Sequence, residues 1–294
     1  MIESKTLGNR IVHTLIVILV IILSLSCILP LLYSLAVSLS SKTAAAAGYV
    51  TFIPVGFTLS AYEEILKESR FWNSFWISIR RVIYSISISL SVCCLAAFPL
   101  SRSKRQFKAQ PYVMWLLVFC MMFSGGLVPW YQTMKNYGFI NNVLALVLSG
   151  GLPIFHLILI INFFRSIPKE MDEASEVDGA GPWRILIMIY LPLSVPVLAT
   201  VALFTMVQHW NEYFQGMILN TTADHYPLQT YIQQLVVVVN TSDLRSNDYE
   251  RLERMSNQTL NAAKIFVSMI PVMAVYPFVQ RYFLTGIMMG SVKG

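Results

Sequence analysis

Charged side chains are what this chain has least of. Only 12% of its 294 residues are Asp, Glu, Lys or Arg and 56% are hydrophobic, against roughly 25% charged in soluble domains; the mean hydropathy is +0.61. So few charges exclude a soluble globule and leave an integral membrane protein. Cysteine is scarce too. Cys27, Cys93, Cys94 and Cys120 all sit inside apolar runs, where thiols serve as small packing groups, so neither a disulfide framework nor a metal site is indicated. The four histidines are scattered and offer no nucleophile–base or metal constellation, which argues against a membrane enzyme. No glycine is followed by lysine anywhere. The phosphate-binding loop pattern is therefore absent, and this chain by itself cannot hydrolyse ATP.

What the chain has instead is long hydrophobic runs. A helix crossing about 30 Å of hydrocarbon takes roughly 20 apolar residues, and six runs approach that length, at about 11–38, 82–100, 111–130, 143–164, 185–207 and 265–283. None contains Asp or Glu. Unsatisfied backbone groups are too costly in lipid for any other spanning form, so runs of this length are helical. The expected fold is an all-α polytopic membrane bundle of six transmembrane helices, a single transmembrane domain over 1–294. The first run follows Lys5 and Arg10 as a signal peptide would, but it exceeds the roughly 7–15 residues of a signal core and reads as an uncleaved span. A self-contained secondary carrier or channel is the alternative, yet it would want intramembrane carboxylates for ion coupling or internal span symmetry.

Six crossings put both termini on one side. Cytoplasmic loops are enriched in basic residues, and Arg102, Lys104, Arg105 and Lys108 crowd one short segment, which favours both termini in the cytoplasm. Segment 165–184 then faces the cytoplasm, and 39–79 and 208–264 face out. Arg80 and Arg81 fall at the outer mouth of the second span, where snorkelling to the headgroups is the simple expectation and a place on a substrate path the other. Phe71–Ile79, just before them, has the aromatics of an interfacial stretch. The polar tract from Asn240 to Asn261 reads as solvated, and its Asn240-Thr241-Ser242 sequon carries little weight in isolation.

A polar stretch between greasy segments is the most informative: EASEVDGAGPWRILIMIYLP, Glu173 to Pro192. Pro168 suits a helix start, Glu170, Asp172 and Glu173 put negative charge at the helix's positive end, and Gly179 supplies a stop. Ile167, Met171, Ala174 and Val177 follow at spacings of four, three and three, one apolar stripe under an acidic back. A new helix restarts at Pro182. Pro192 and Pro196 then interrupt the hydrogen-bond ladder where the fifth span begins, giving a bendable joint. By pattern alone, an amphipathic connector lying on the membrane fits equally well.

The order of residues resembles the EAA loop of bacterial ABC-importer permeases. Glu173, Ala174, Gly179, Ile189, Leu191 and Pro192 meet that pattern, with Ser175 in place of its third small residue. Asp178-Gly179-Ala180, Gln280-Arg281-Tyr282-Phe283 and Gly290-Ser291-Val292-Lys293-Gly294 look like the maltose-type carbohydrate permeases. Ser124-Gly125-Gly126-Leu127-Val128-Pro129, His209-Trp210-Asn211 and Tyr226-Pro227-Leu228-Gln229 look like the branch that imports complex oligosaccharides, alginate-type and pectin-derived fragments among them.

This resemblance, which spans nearly the whole chain, implies the type I ABC-importer permease fold in a bacterial cytoplasmic (inner) membrane. It implies that Glu173, Ala174, Ser175, Asp178, Gly179, Ala180, Leu191 and Pro192 couple the chain to a separate ATPase: a docking helix sits in a cleft there, Glu173 faces a basic group, and Ala174 and Gly179 allow close approach. The implied partners are a second homologous permease subunit forming a heterodimer, and an ATPase dimer that binds the ATP and Mg. An extracellular or periplasmic sugar-binding protein would meet the outer segment from Asn220 to Asn261, and the C-terminal tail would reach the ATPase interface. Membrane lipids and the oligosaccharide complete the set, with no nucleic acid.

Polar residues inside spans are costly and mark pathways. His156, Asn162, Gln208, His209, Asn211 and Glu212 are the main ones in or beside the spans, and Trp210 and Tyr213 are suited to stack on sugar faces. The expected substrate path is therefore Trp210, Asn211, Glu212, Tyr213 and His156. The plainer readings are an interhelical hydrogen bond for His156 and an interfacial aromatic anchor for Trp210 to Tyr213. Gly125-Gly126 and Gly150-Gly151 read as close helix packing, with gating breaks as the alternative.

Overall fold

The structure, a computed structural model, describes residues 7–241 and 248–286, and every regular element among them is helical. In chain order these are α1 (Leu7–Ser38), α2 (Lys42–Ala46), α3 (Ser60–Lys67), α4 (Ser69–Ser101), α5 (Gln110–Met122), α6 (Leu127–Asn136), α7 (Val143–Leu148), α8 (Ile154–Ser166) and α9 (Lys169–Val177). There follow α10 (Pro182–Ile185), a π turn at Leu186–Tyr190, α11 (Leu191–Leu193), α12 (Val195–Asn211), α13 (Phe214–Leu219), α14 (Leu228–Thr241) and α15 (Asp248–Gly286). Lys5, Ser242 of the sequon and the tail Gly290 to Gly294 lie outside the described residues, as do the side chains of Gln280 to Phe283.

Among the described residues, Ile11–Ser38, Ser69–Ser101 and Asn257–Val275 are each long and apolar enough to cross a membrane unbroken. Other apolar runs are broken. The run expected at 111–130 becomes α5 and α6, which meet at 111°, and the one at 185–207 bends by 78° between Pro182–Leu193 and α12. The run at 143–164 is divided into α7 and α8 by residues 149–153. Each break has a local cause. Gly126 (φ +84°) and Gly151 (φ +67°) adopt the left-handed backbone that favours glycine. Between Pro192 and Pro196 the chain lacks two N–H donors and two rings crowd the preceding turn. Just upstream the ladder widens to a π turn, in which the Leu191 N–H reaches the Leu186 carbonyl, as helices do where the α spacing is relieved.

Two expectations are corrected here. A Cβ added at Gly125, Gly126, Gly150 or Gly151 meets nothing within 4 Å, so these glycines mark breaks in the backbone and not close packing within this chain. Phe71–Ile79 is no interfacial stretch apart from the span: it forms the first turns of α4, with Phe71, Ser74, Ile77 and Ser78 buried.

The chain packs into two compact units, 1–69 with 234–270 and 70–233 with 271–294. In the first, Ala36, Val37, Ala44, Ala45 and Val50 gather against Ala262, and Ser41 caps α2 by accepting the Ala44 N–H at 3.3 Å, which satisfies one of the helix's free donors. Ion pairs Lys42–Glu64 at 2.7 Å and Lys264–Glu68 at 2.6 Å tie its polar parts. Most of α1 is exposed on all sides, from Ile11 to Leu29, as suits a helix solvated by lipid.

In the second unit Leu157, Ile160, Ile161 and Phe164 recur along one face of α8 at helical spacing. They pack on Cys93, Cys94 and Ala97 of α4 and on Ile185, Leu186, Tyr190, Val197 and Val201. Small residues on α4 allow that approach. A smaller cluster joins Ala145, Leu146 and Leu219 with Trp130 and Phe139. Where α13 meets the start of α14, a Cβ on Gly216 would fall 2.1 Å from Thr230 Oγ1 and 2.9 Å from Pro227 Cδ. Gly216→Ala is therefore expected to destabilise the detergent-purified protein by about 1–3 kcal/mol, as overpacking does. A lowered thermal-unfolding midpoint is the readout, and an unchanged midpoint would show that the approach is not close.

Candidate functional site

Helix α9 lies where the charge pattern places it. Pro168 precedes its first residue, Glu170 and Asp172 occupy its first turn, and their charge suits the helix's positive end. Beyond Val177 the Asp178 N–H bonds Ala174 O at 3.1 Å, the Gly179 N–H bonds Glu176 O at 3.0 Å and the Ala180 N–H bonds Ser175 O at 2.9 Å. Gly179, at φ +73°, makes the left-handed turn that ends many helices.

The expectation of a uniformly acidic back is corrected at Asp172. Its side chain turns inward and the residue is only 8% exposed. The carboxylate pairs with Arg102 just after α4 and accepts the Tyr190 hydroxyl at 2.8 Å. Arg102 in turn lies over the rings of Phe98 at 4.2 Å and Tyr190 at 4.8 Å, a cation–π arrangement that favours a partly desolvated guanidinium. Tyr190 sits edge-on to Phe98 at 5.2 Å and to Phe164 at 5.1 Å, and Arg165 donates to Leu100 O at 3.1 Å. One carboxylate thus ties α9 to α4 and to the bent fifth run, and through Tyr190 to α8.

The rest of α9 faces away from the bundle. Ile167 is buried, but Met171, Ala174 and Val177 of the apolar stripe are exposed, Val177 by 87%, and Glu173 is exposed beside them. Ser175 bonds back to Met171 O at 2.6 Å. Ser175, Asp178, Ala180, Arg184 and Ile189 border a cavity of about 160 Å³. Leu191 packs on the main core, and Pro192 is exposed.

At the other predicted site, the snorkelling expectation fails for Arg81. This side chain is fully buried, donating to the Glu212 carbonyl at 3.1 Å, to Glu212 Oε2 at 3.1 Å and to Gln215 Oε1 at 2.7 Å. Glu212 Oε1 also accepts the Gln215 N–H at 2.8 Å. Glu212 is thus occupied in holding a buried cation. Trp210 is 2% exposed with its ring 5.8 Å from Phe75, so it offers no free face for a sugar in this conformation, whereas Asn211 and Tyr213 are exposed. His156 stands apart from them, 3.3 Å from Thr205 Oγ1 and stacked on Phe204. Arg102 and Tyr190 were absent from the expected coupling set. Basic density flagged Arg102 only as a marker of sidedness.

Helices alone among the described residues, several of them apolar and broken, with an acidic helix tied to the bundle through Asp172, define a class: a polytopic helical membrane protein. More particularly, the chain belongs to the family of binding-protein-dependent transport system inner membrane components, whose profile matches residues 104–242. It is 32% identical over 286 residues to the polygalacturonan/rhamnogalacturonan transport system permease protein YtcP of Bacillus subtilis (strain 168), covering 97% of this chain and 99% of that one. Protein LplC of the same organism is 34% identical over 269 residues, 91% of this chain and 90% of LplC. With a TM-score of 0.85 and 30% identity, the fold matches a chain in the crystal structure of a bacterial ABC transporter involved in the import of the acidic polysaccharide alginate, over 96% of this chain and 100% of that one. The chain is accordingly an ABC-transporter permease component of the inner membrane and not a self-contained carrier.

Two substitutions test the geometry. Asp172→Ala, which strands Arg102 and Tyr190, is expected to cost about 1–3 kcal/mol. Glu212→Ala, which leaves a buried guanidinium uncompensated, is expected to cost more, about 3–5 kcal/mol. Thermal unfolding in detergent ranks them; a Glu212→Ala protein as stable as the parent would show that the buried pair does not form.

Proposed function

We propose that this chain is the permease subunit of an ATP-driven importer that carries an oligosaccharide or polysaccharide fragment across the cytoplasmic membrane, moved through α9 by a partner ATPase. The observation that carries this reading is the two-sidedness of α9: Asp172 is tied inward, while Glu173, Met171, Ala174 and Val177 are left facing out. Glu173 faces a basic group of the ATPase, and Ala174 and Gly179 allow close approach. Ser175, Asp178 and Ala180 border the contact, and ATP and Mg are bound by the partner. Segment 165–184 and both termini are cytoplasmic. The chain crosses six times, with α5/α6, α7/α8 and the bent fifth run each counted as one crossing.

Closure of the ATPase pair displaces α9. Because Asp172 grips Arg102 and Tyr190, the displacement reaches the end of α4 and the fifth run directly, and α8 through the ring of Phe164. The joint at Ser194, between Pro192 and Pro196, lets α12 swing while α9 stays docked. A second homologous permease and a separate sugar-binding protein on the outer side complete the importer. A saccharide cargo is supported by the relatives, whose names specify polygalacturonan/rhamnogalacturonan and alginate transport.

Charge reversal tests the coupling. A like-charge contact in an interface costs several kcal/mol, and every 1.4 kcal/mol is about tenfold in affinity. Glu173→Lys is therefore expected to lose co-purification with the ATPase and to lower saccharide uptake at least about tenfold. A Glu173→Lys chain that still co-purified and transported normally would end the docking claim.

A further inference from the structure

A cavity of about 430 Å³ lies between the last turns of α4, the segment that follows it and the start of the bent fifth run, inside the roughly 300–1,000 Å³ range of small-molecule pockets. Leu95, Phe98, Phe107 and Leu186 give it apolar walls. Two of its bordering side chains are open to the surroundings, Leu95 by 47% and Trp183 by 67%. Leu95 lies six residues before Ser101, where α4 ends, roughly 9 Å along the helix axis. The cavity therefore runs from the end of a span into its hydrocarbon depth, with an exposed indole of the kind that gathers at membrane surfaces. An apolar, lipid-accessible hollow at that depth suits a hydrocarbon chain.

Its other end is polar. Arg102 borders it with a side chain still 14% exposed. Asp172 takes one hydrogen, from Nη1, and a guanidinium carries five, so donors remain for a second acceptor. Gln106 uses its Oε1 to accept the Ser103 N–H at 3.3 Å and the Ser103 hydroxyl at 3.2 Å, which leaves its amide hydrogens to donate. Lys104, Arg105 and Lys108, all exposed, flank it. Four basic residues within seven positions directly after a span draw anionic lipid headgroups. Among the described residues Glu176 is the one acid that borders the cavity, and its carboxylate calls for a hydroxyl or an ammonium donor. With three further cations around Arg102, a net negative ligand is favoured, so a hydroxyl is the better complement for Glu176.

We propose that this cavity holds one phosphatidylglycerol of the surrounding bilayer, its phosphodiester on Arg102 and Gln106, its headgroup hydroxyls toward Glu176 and the start of an acyl chain along Leu95, Phe98, Phe107 and Leu186. Because Arg102 also holds Asp172, the lipid phosphate shares the group that fixes α9 to the bundle. The inference needs only the membrane placement of the chain and stands apart from the importer reading. Native mass spectrometry of the full chain in detergent, titrated with phosphatidylglycerol or phosphatidylethanolamine, tests it. One phosphatidylglycerol is expected to bind at least about tenfold more tightly than phosphatidylethanolamine. Two variants at exposed positions lower that affinity at least about tenfold: Leu95→Trp, which fills the apolar end without changing charge, and Gln106→Glu, which sets a second carboxylate against the phosphate. Equal binding of the two lipids, or unchanged phosphatidylglycerol binding in either variant, would overturn the site. Displacement of the lipid by millimolar inorganic phosphate would overturn it as well, reducing it to an anion site that no acyl chain enters.

Discussion

The attitude of α9 depends on one carboxylate turned the wrong way. Asp172 sits on a helix whose other acidic residues face solvent, and it spends its charge on Arg102 and Tyr190 instead. An ion pair this poorly hydrated is weak evidence of stability in its own right, because desolvation offsets much of the attraction. Its consequence is geometric. A short helix of nine residues has little intrinsic stability in water, and the tie to α4 and to the fifth run is what gives it a fixed attitude. With the attitude fixed, Glu173 and the apolar stripe present one surface outward.

A second constraint comes from lipid. Backbone polar groups must be satisfied inside the membrane, so every break in a span has to be covered or wetted. The turns at residues 123–126, 149–153 and 194 are therefore where the bundle departs from straight rods. Buried Arg81 obeys the same rule at the opposite kind of site: three donated hydrogen bonds and one carboxylate compensate a charge that the bundle encloses.

Much of this was legible in the residues. Apolar runs free of Asp and Glu announced a helical membrane protein. Pro168 and Gly179 bracketed α9 to within about a residue, because turn chemistry is local. The breaks at Gly126 and Gly151 were visible as glycines but read as packing, since sequence shows the absence of a side chain and not whether anything fills its place. Asp172 was misassigned for a related reason. Helical periodicity puts it among acidic neighbours, and only Arg102 and Tyr190, 70 and 18 residues away, reveal which way it faces. The Arg81–Glu212 pair, separated by 131 residues, was hidden by the same distance. Taken alone, Arg81 reads as a snorkelling charge and Glu212 as a polar residue of the substrate path.

The central claim is that force enters through α9 and leaves through Asp172. Its most direct measurement is the amount of saccharide imported per ATP hydrolysed by the reconstituted complex, in a cycle of Arg102→Met, Asp172→Met and the double variant. If the pair transmits the stroke, each single variant lowers that ratio severalfold while the double lowers it no further than one alone, as residues acting as a unit do. Single variants that import as much per ATP as the parent would contradict the account, leaving Asp172 a structural pin and α9 coupled by some other route.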